Sequence, residues 1–334
     1  MVQGVLFGEK SLVIFLLSLT FALSENKVVV SHYFESPVFT QSKNGEWLLT
    51  DYFGTGIRRI DRHGEISQEI EYGMGSGPGE FQNPRFIFEF PDENTIVVIG
   101  KHADTHAFDS RTGKFKEKII RFLPYNQAVK WDERHFLILW GKNVLNAGAK
   151  DSFILFDLQG NEIDSWEVPQ PQWQQEYIYQ KVNGSALDWQ KTVYFANMAK
   201  PELLVYKYKS PDQSIWRLKP PKGYQPAPTE KLNREEMFNR AKLQTYMDSF
   251  SYINTIFTVR KGRYLVVAWI NANGKKQTFD LYQIEDRNLL RSNIEVEGHV
   301  IGATEEQVIT QIFEDLVSDE EPLHSQFGKY SIFN

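Results

Sequence analysis

Residues 72–86 read YGMGSGPGEFQNPRF, with four glycines and two prolines in fifteen positions, and run straight into the apolar Phe86-Ile87-Phe88. Such a stretch is a phosphate cradle, a flexible linker or a structural corner. A Walker loop needs Lys-Ser/Thr directly after its second glycine, and no lysine follows here. A dinucleotide fingerprint fails as well. The sixth position from Gly73 is Pro78, that from Gly75 is Glu80, and a strand-like rather than a helix-like segment comes next. The corner reading is left, and it requires strands for the corner to join.

Those strands recur. IRRIDRHGEISQEI (57–70), THAFDSRTGKFKEKII (105–120) and FILFDLQGNEIDSWEV (153–168) each hold an apolar strand, a tight turn and a more polar strand. Their aspartates, Asp61, Asp109 and Asp157, lie 48 positions apart, and Gly64, Gly113 and Gly160 follow three or four residues later. Asp bonds its own following backbone and Gly accepts positive φ, so these are hairpin corners. The residue just before each corner is bulky: Ile60, Phe108 and Phe156, then Tyr206 and Tyr282 in two fainter copies. Upstream of each corner lies another strand pair, as in RFIFEF and TIVVIGK or QAVKW and HFLILWG.

A unit of 48 residues carrying four short strands has the length of a β-propeller blade. GHVIGAT, QVITQIF and KYSIFN supply three strands of a sixth unit, and KVVVSHYFE (27–35) is the unpaired strand that completes it. Joining first and last strands in one blade closes the ring and removes an exposed edge. The expected fold is all-β: a six-bladed β-propeller of four-stranded blades over 25–334, with one helical insertion between blades four and five. That insertion, 219–250, starts Pro-rich, and Thr229-Glu230 predicts a capped helix over 230–247.

The opening stretch also resembles the segment with which NHL-repeat propellers pass from one blade to the next. It is similar, more closely, to exported bacterial six-bladed propellers marked by a Gly-Pro-Gly-Glu-Phe run, here Gly77, Pro78, Gly79, Glu80 and Phe81, followed by Pro84 and Arg85. The resemblance implies the same fold and no particular activity. Many such proteins carry a lipidated cysteine, and this chain has no cysteine at all.

The absence of cysteine excludes thiol catalysis and Cys-ligated zinc. A net charge of -6 argues against a nucleic-acid partner, which needs a basic footprint. Near the N-terminus, Lys10 precedes the apolar SLVIFLLSLTFALS (11–24), too short for a comfortable membrane span and suited to a signal peptide. Residues 1–24 are therefore expected to be removed on export to the periplasm or medium, leaving no stable membrane anchor.

The chain's connections are unequal. Turns such as PDEN and DRHG are short, whereas GKNVLNAGAKD, PQPQWQQEYIYQKVNG and the 219–250 insertion are long and gather on one face of a propeller. That face is the expected ligand side, with Trp173, Tyr177, Tyr179 and Tyr224 as stacking aromatics. His102, Asp104 and His106 in KHADTH fall in another of its connections and have metal-compatible side chains, though no further ligand is evident around them. The function expected is non-catalytic binding or scaffolding of a protein, peptide or glycan, with no cofactor. The alternative is a lactonase-like, metal-dependent hydrolase or lyase with a divalent ion at the mouth of the channel. Asp51, Glu89, Asp188 and Glu314 are carboxylates such a site could draw on, and no Gly-x-Ser-x-Gly or His-Glu-x-x-His motif is present.

Overall fold

A computed structural model describes residues 27–75, 77, 79–81, 83–100, 104–120, 125–140, 150–169, 184–197, 200–210, 212–230, 232–233, 235–236, 239–274, 276–312 and 324–333. The strands form six four-stranded antiparallel sheets arranged as the blades of a β-propeller. After β1 (Lys27–Val30), blade one comprises β2 (Pro37–Gln41), β3 (Trp47–Asp51), β4 (Gly56–Ile60) and β5 (Ile66–Glu71). A two-residue parallel ladder, β6 (Gly73–Met74) with β7 (Glu80–Phe81), occupies the glycine-rich stretch. Blade two is β8 (Phe86–Phe90), β9 (Thr95–Ile99), β10 (Thr105–Asp109) and β11 (Phe115–Ile120). Blade three is β12 (Tyr125–Lys130), β13 (His135–Trp140), β14 (Lys150–Asp157) and β15 (Glu162–Pro169). Blade four is β16 (Ser185–Leu187), β17 (Thr192–Ala196), β18 (Glu202–Lys207) and β19 (Gln213–Arg217). Blade five is β20 (Tyr252–Val259), β21 (Tyr264–Ile270), β22 (Gln277–Gln283) and β23 (Leu289–Val296).

Blade six closes the ring. Its own strands β24 (His299–Ala303), β25 (Gln307–Ile312) and β26 (Ser325–Ser331) are completed by β1, which pairs antiparallel with β26 from Lys27↔Gly328 to Val30↔Ser325. The Phe34 amide donates to Ser325 Oγ at 2.8 Å just beyond the pairing.

Both faces of every blade are covered by neighbours, so strands read as apolar runs despite being antiparallel. Consecutive residues serve opposite interfaces. Leu48 packs toward blade two with Ile57 and Ile96, while Leu49 packs toward blade six with Val30 and Phe327. The bulky residue before each corner faces the preceding blade, and each one lies in a different inter-blade core: Ile60, Phe108, Phe156, Tyr206 and Tyr282. The corner aspartates act as the turn chemistry requires. Asp61 Oδ1 accepts from the amides of His63 (2.8 Å) and Glu65 (3.0 Å), and Asp157 Oδ1 from those of Gln159 (2.9 Å) and Asn161 (2.8 Å). Gly64 and Gly160 have φ of +92° and +81°, and a Cβ on either would collide with a carbonyl of the previous blade's outer strand, Val29 or Ile119.

One boundary differs from expectation. The continuous helix α1 is Arg240–Asp248, capped by Asn239, whose Oδ1 accepts from the Lys242 amide at 3.1 Å. Thr229 does not cap it. A reciprocal pair precedes it, in which the Glu236 amide donates to Asn233 Oδ1 and the Asn233 amide to Glu236 Oε2. Two asparagines, better caps than a proline-led threonine, thus set the helical turns further along the chain.

Candidate functional site at the upper channel mouth

The connections between second and third strands, and between successive blades, lie on one face, here called upper. The six innermost strands enter from that face and surround a channel of about 400 Å³. Each contributes part of the wall, including Thr40, Gln127, Ser185, Thr255 and Thr258. Among the described lining residues the charged ones are Arg85 and Lys130. Lys130 stands at the lower end, where its ammonium pairs with Glu133 at 3.1 Å and lies 5.1 Å from the Phe90 ring centroid. Arg85 stands at the upper mouth, immediately before β8, its amide donating to the Ile99 carbonyl at 2.8 Å. The residue is half-buried, and its guanidinium makes no ion pair or hydrogen bond with any described residue.

The glycine-rich stretch holds an anion of its own. The Gly77 amide donates to Glu80 Oε2 at 2.9 Å and the Glu80 amide returns a bond to the Gly77 carbonyl at 3.0 Å. A Cβ on Gly75 would run into the same carboxylate, and one on Gly73 or Gly77 would crowd the Glu80 side chain. The glycines leave room for an acidic side chain that takes one backbone amide of the turn. Further on, Asn83, at φ +48°, donates through Nδ2 to the Tyr52 carbonyl at 3.2 Å. This bond ties the loop to the Tyr52-Phe53 tip, whose rings meet edge to face at 4.8 Å and whose Phe53 is 56% exposed. Pro84 is buried beneath it.

The described residues of the insertion form a wall on the same face, over blade five. The Lys222 amide donates to Asn293 Oδ1 at 2.5 Å, the Gln225 amide to Ser251 Oγ at 3.1 Å, and the Asn273 amide to the Asp248 carbonyl at 2.6 Å. Tyr224 lies in this wall, half-buried, its ring edge-on to Trp269 with centroids 6.2 Å apart. Burial, and then the nearby Glu202 charge, raise its phenol above the ordinary value. Beneath, Asp280 accepts from Trp269 Nε1 at 3.0 Å and from the Asn293 amide at 2.8 Å. Burial outweighs both bonds and pushes the Asp280 carboxyl up to about 6.

Among the described residues, the others singled out from sequence do not converge. Trp173, Tyr177, Tyr179, His102 and Glu314 lie outside the described residues. Asp104 pairs with Lys118 at 2.5 Å and lies 3.5 Å from His106 Nε2. His106 is fully buried against the edge of Phe115, and burial lowers its pKa first, ahead of the opposing Asp104 charge. Among the described residues no three His, Asp or Glu side chains gather as a metal would need. Asp51 holds the amides of Glu35, Ser36 and Phe53. Glu89 pairs with Arg59 at 2.7 Å and accepts from Ser42 Oγ, and Asp188 accepts from Gln190, Thr192 and the Tyr194 hydroxyl. Each of these three carboxylates is occupied in a separate turn or interface. Arg85, Tyr52 and Phe53 escaped the sequence reading. The one available signal was that Arg85 ends the loop and directly precedes an innermost strand.

Neither protein-family models nor curated proteins yield a match to this chain. Solved structures do share the fold. A Bacteroides fragilis NCTC 9343 protein described as exported superposes with a TM-score of 0.55 at 13% identity, covering 91% of this chain and 94% of its own. A DUF4221 family member from Bacteroides vulgatus ATCC 8482 gives a TM-score of 0.60 at 11% identity, with 91% and 96% covered. The PQQ-bound aldose sugar dehydrogenase of Streptomyces coelicolor gives 0.53 at 11% identity, with 90% and 96% covered. At these identities the likeness concerns the six-bladed fold, which exported proteins and enzymes both use.

Proposed function

We propose that the protein is an exported, non-catalytic binding or scaffolding propeller that engages a protein, peptide or glycan through its upper face. The observation that carries this reading is the insertion, which stands on the upper face over blade five and is held by bonds to Asn293, Ser251 and Asn273. A blade needs only a short link to its neighbour, so an ordered wall of this size gives the face a preformed shape for recognition. The channel adds hydroxyls, amides and backbone edges, a chemistry suited to holding a polar ligand. Tyr224 belongs to a connection of the same face, where Trp173, Tyr177 and Tyr179, outside the described residues, are expected from sequence. Export rests on the apolar segment 11–24 and on the exported neighbour.

The test is a loop replacement. The Ser251 amide donates to the Gln225 carbonyl at 2.9 Å, so the two ends already meet and a two-glycine link can replace 227–249. Wild-type and shortened protein would be screened on glycan and peptide arrays. The reading expects array ligands that bind wild type and are lost on shortening while the ring still melts cooperatively. Unchanged binding by the shortened protein would remove the insertion from the site. A stoichiometric divalent ion together with lactone turnover would replace the reading by the hydrolase alternative.

A further inference from the structure

We infer that the upper channel mouth binds a small molecule through a carboxylate, with the Arg85 guanidinium as its anchor. The inference deepens the binding reading above by naming a ligand class for the same face. Three observations converge on it. Arg85 lines a cavity whose other described charge, Lys130, is at the far end and already paired with Glu133. Its guanidinium has no partner among the described residues, although Arg85 as a residue is half-buried. The loop that delivers it is held at three points: the Gly77 amide bonds the Glu80 carboxylate, Asn83 bonds the Tyr52 carbonyl, and the Arg85 amide bonds the Ile99 carbonyl.

The chemistry selects among anions. A phosphate carries nearly two charges and favours several donors or a backbone nest. The glycine turn next to Arg85 holds Glu80, which leaves one planar fork with one charge. That fork matches a carboxylate, whose two oxygens accept from guanidinium in parallel. Along the same channel, Phe86 and Phe39 offer apolar surface and Ser185, Gln127 and Thr255 offer hydroxyl and amide groups to the body of the ligand. The channel volume of about 400 Å³ is within the range of small-ligand sites.

Calorimetry on the full mature chain would use glucuronate and benzoate as carboxylates with different bodies, glucose as the neutral counterpart, and inorganic phosphate. At least one carboxylate is expected to bind, glucose is not, and Arg85→Gln should weaken carboxylate binding roughly tenfold or more. Arg85→Lys, which keeps charge but loses the fork, should fall between. Melting of both variants is measured alongside, and an unaltered transition shows that the loss is local. The chain with 227–249 replaced should keep carboxylate binding, which separates failure of the insertion wall from failure of the Arg85 site. Binding of neither carboxylate, equal binding by Arg85→Gln, or tighter binding of phosphate than of either carboxylate would overturn the inference.

Discussion

Gly45 and Gly64 both sit at φ near +90°, yet their surroundings differ: nothing lies within 4 Å of a Cβ on Gly45, whereas one on Gly64 would strike the Val29 carbonyl of the closing strand. Alanine at Gly45 should therefore cost only the backbone strain, roughly 1 kcal/mol. At Gly64 the same change should cost more than about 2 kcal/mol, because backbone must move. Urea unfolding of the two variants measures the difference, and equal costs would mean that β1 yields freely. Asp280 makes a second prediction at this scale. Its carboxyl rises from 3.8 to about 6, so between those values the folded chain binds more protons than the unfolded one. Its contribution is fully present below pH 4 and is lost as pH climbs through 6, a swing of about 3 kcal/mol. The corner carboxylates Asp61 and Asp109, held below the ordinary range chiefly by turn amides, act with the opposite sign at lower pH. Comparing wild type with Asp280→Asn at pH 4 and pH 7 isolates the Asp280 part. A difference independent of pH would contradict the assignment.

Among the elements, β1 has the most leverage for its size. Four residues long, it covers the β26 edge and sends Val28 and Val30 into the core shared with Trp47, Leu49, Ile309 and Phe327. Beginning the chain at residue 31 would remove both valines and uncover a strand edge with free backbone groups. The expected outcome is a loss of several kcal/mol, about 3 for the two side chains before the ladder is counted. Light scattering should also detect self-association through the open edge, and a shortened chain that stays monomeric with an unchanged Tm would show that blade six closes without β1. Helix α1 is the opposite case. None of its residues is buried, and the insertion is held instead by bonds at Lys222, Gln225 and Asp248. For that reason the loop replacement should spare the ring.

At the scale of the molecule, six inter-blade cores rather than one central core hold the ring, and the last of them joins residues nearly the whole chain apart, as in Phe34 to Ser325. The architecture was legible because it repeats. Ile60, Phe108, Phe156 and Tyr206 recur at blade spacing, with Tyr282 following beyond the insertion, since each faces the same kind of interface, and the corners Asp61-Gly64 and Asp157-Gly160 satisfy needs local to their own turns. The site was far less legible. Whether Asp51, Glu89 and Asp188 were available for chemistry depended on partners that folding supplies, and for Glu89 the partners were Ser42 and Arg59, 47 and 30 positions away. Tyr224 looked like a free aromatic until Trp269 was seen against its ring. The stretch 72–86 divides along the same line. Its residue order and spacing excluded a nucleotide loop and marked a corner between blades, because turn geometry is a local property. Only the folded ring showed that Glu80 fills the glycine turn and that Arg85, without a described partner, stands where six blades leave an opening, because a cavity exists only once distant strands have met.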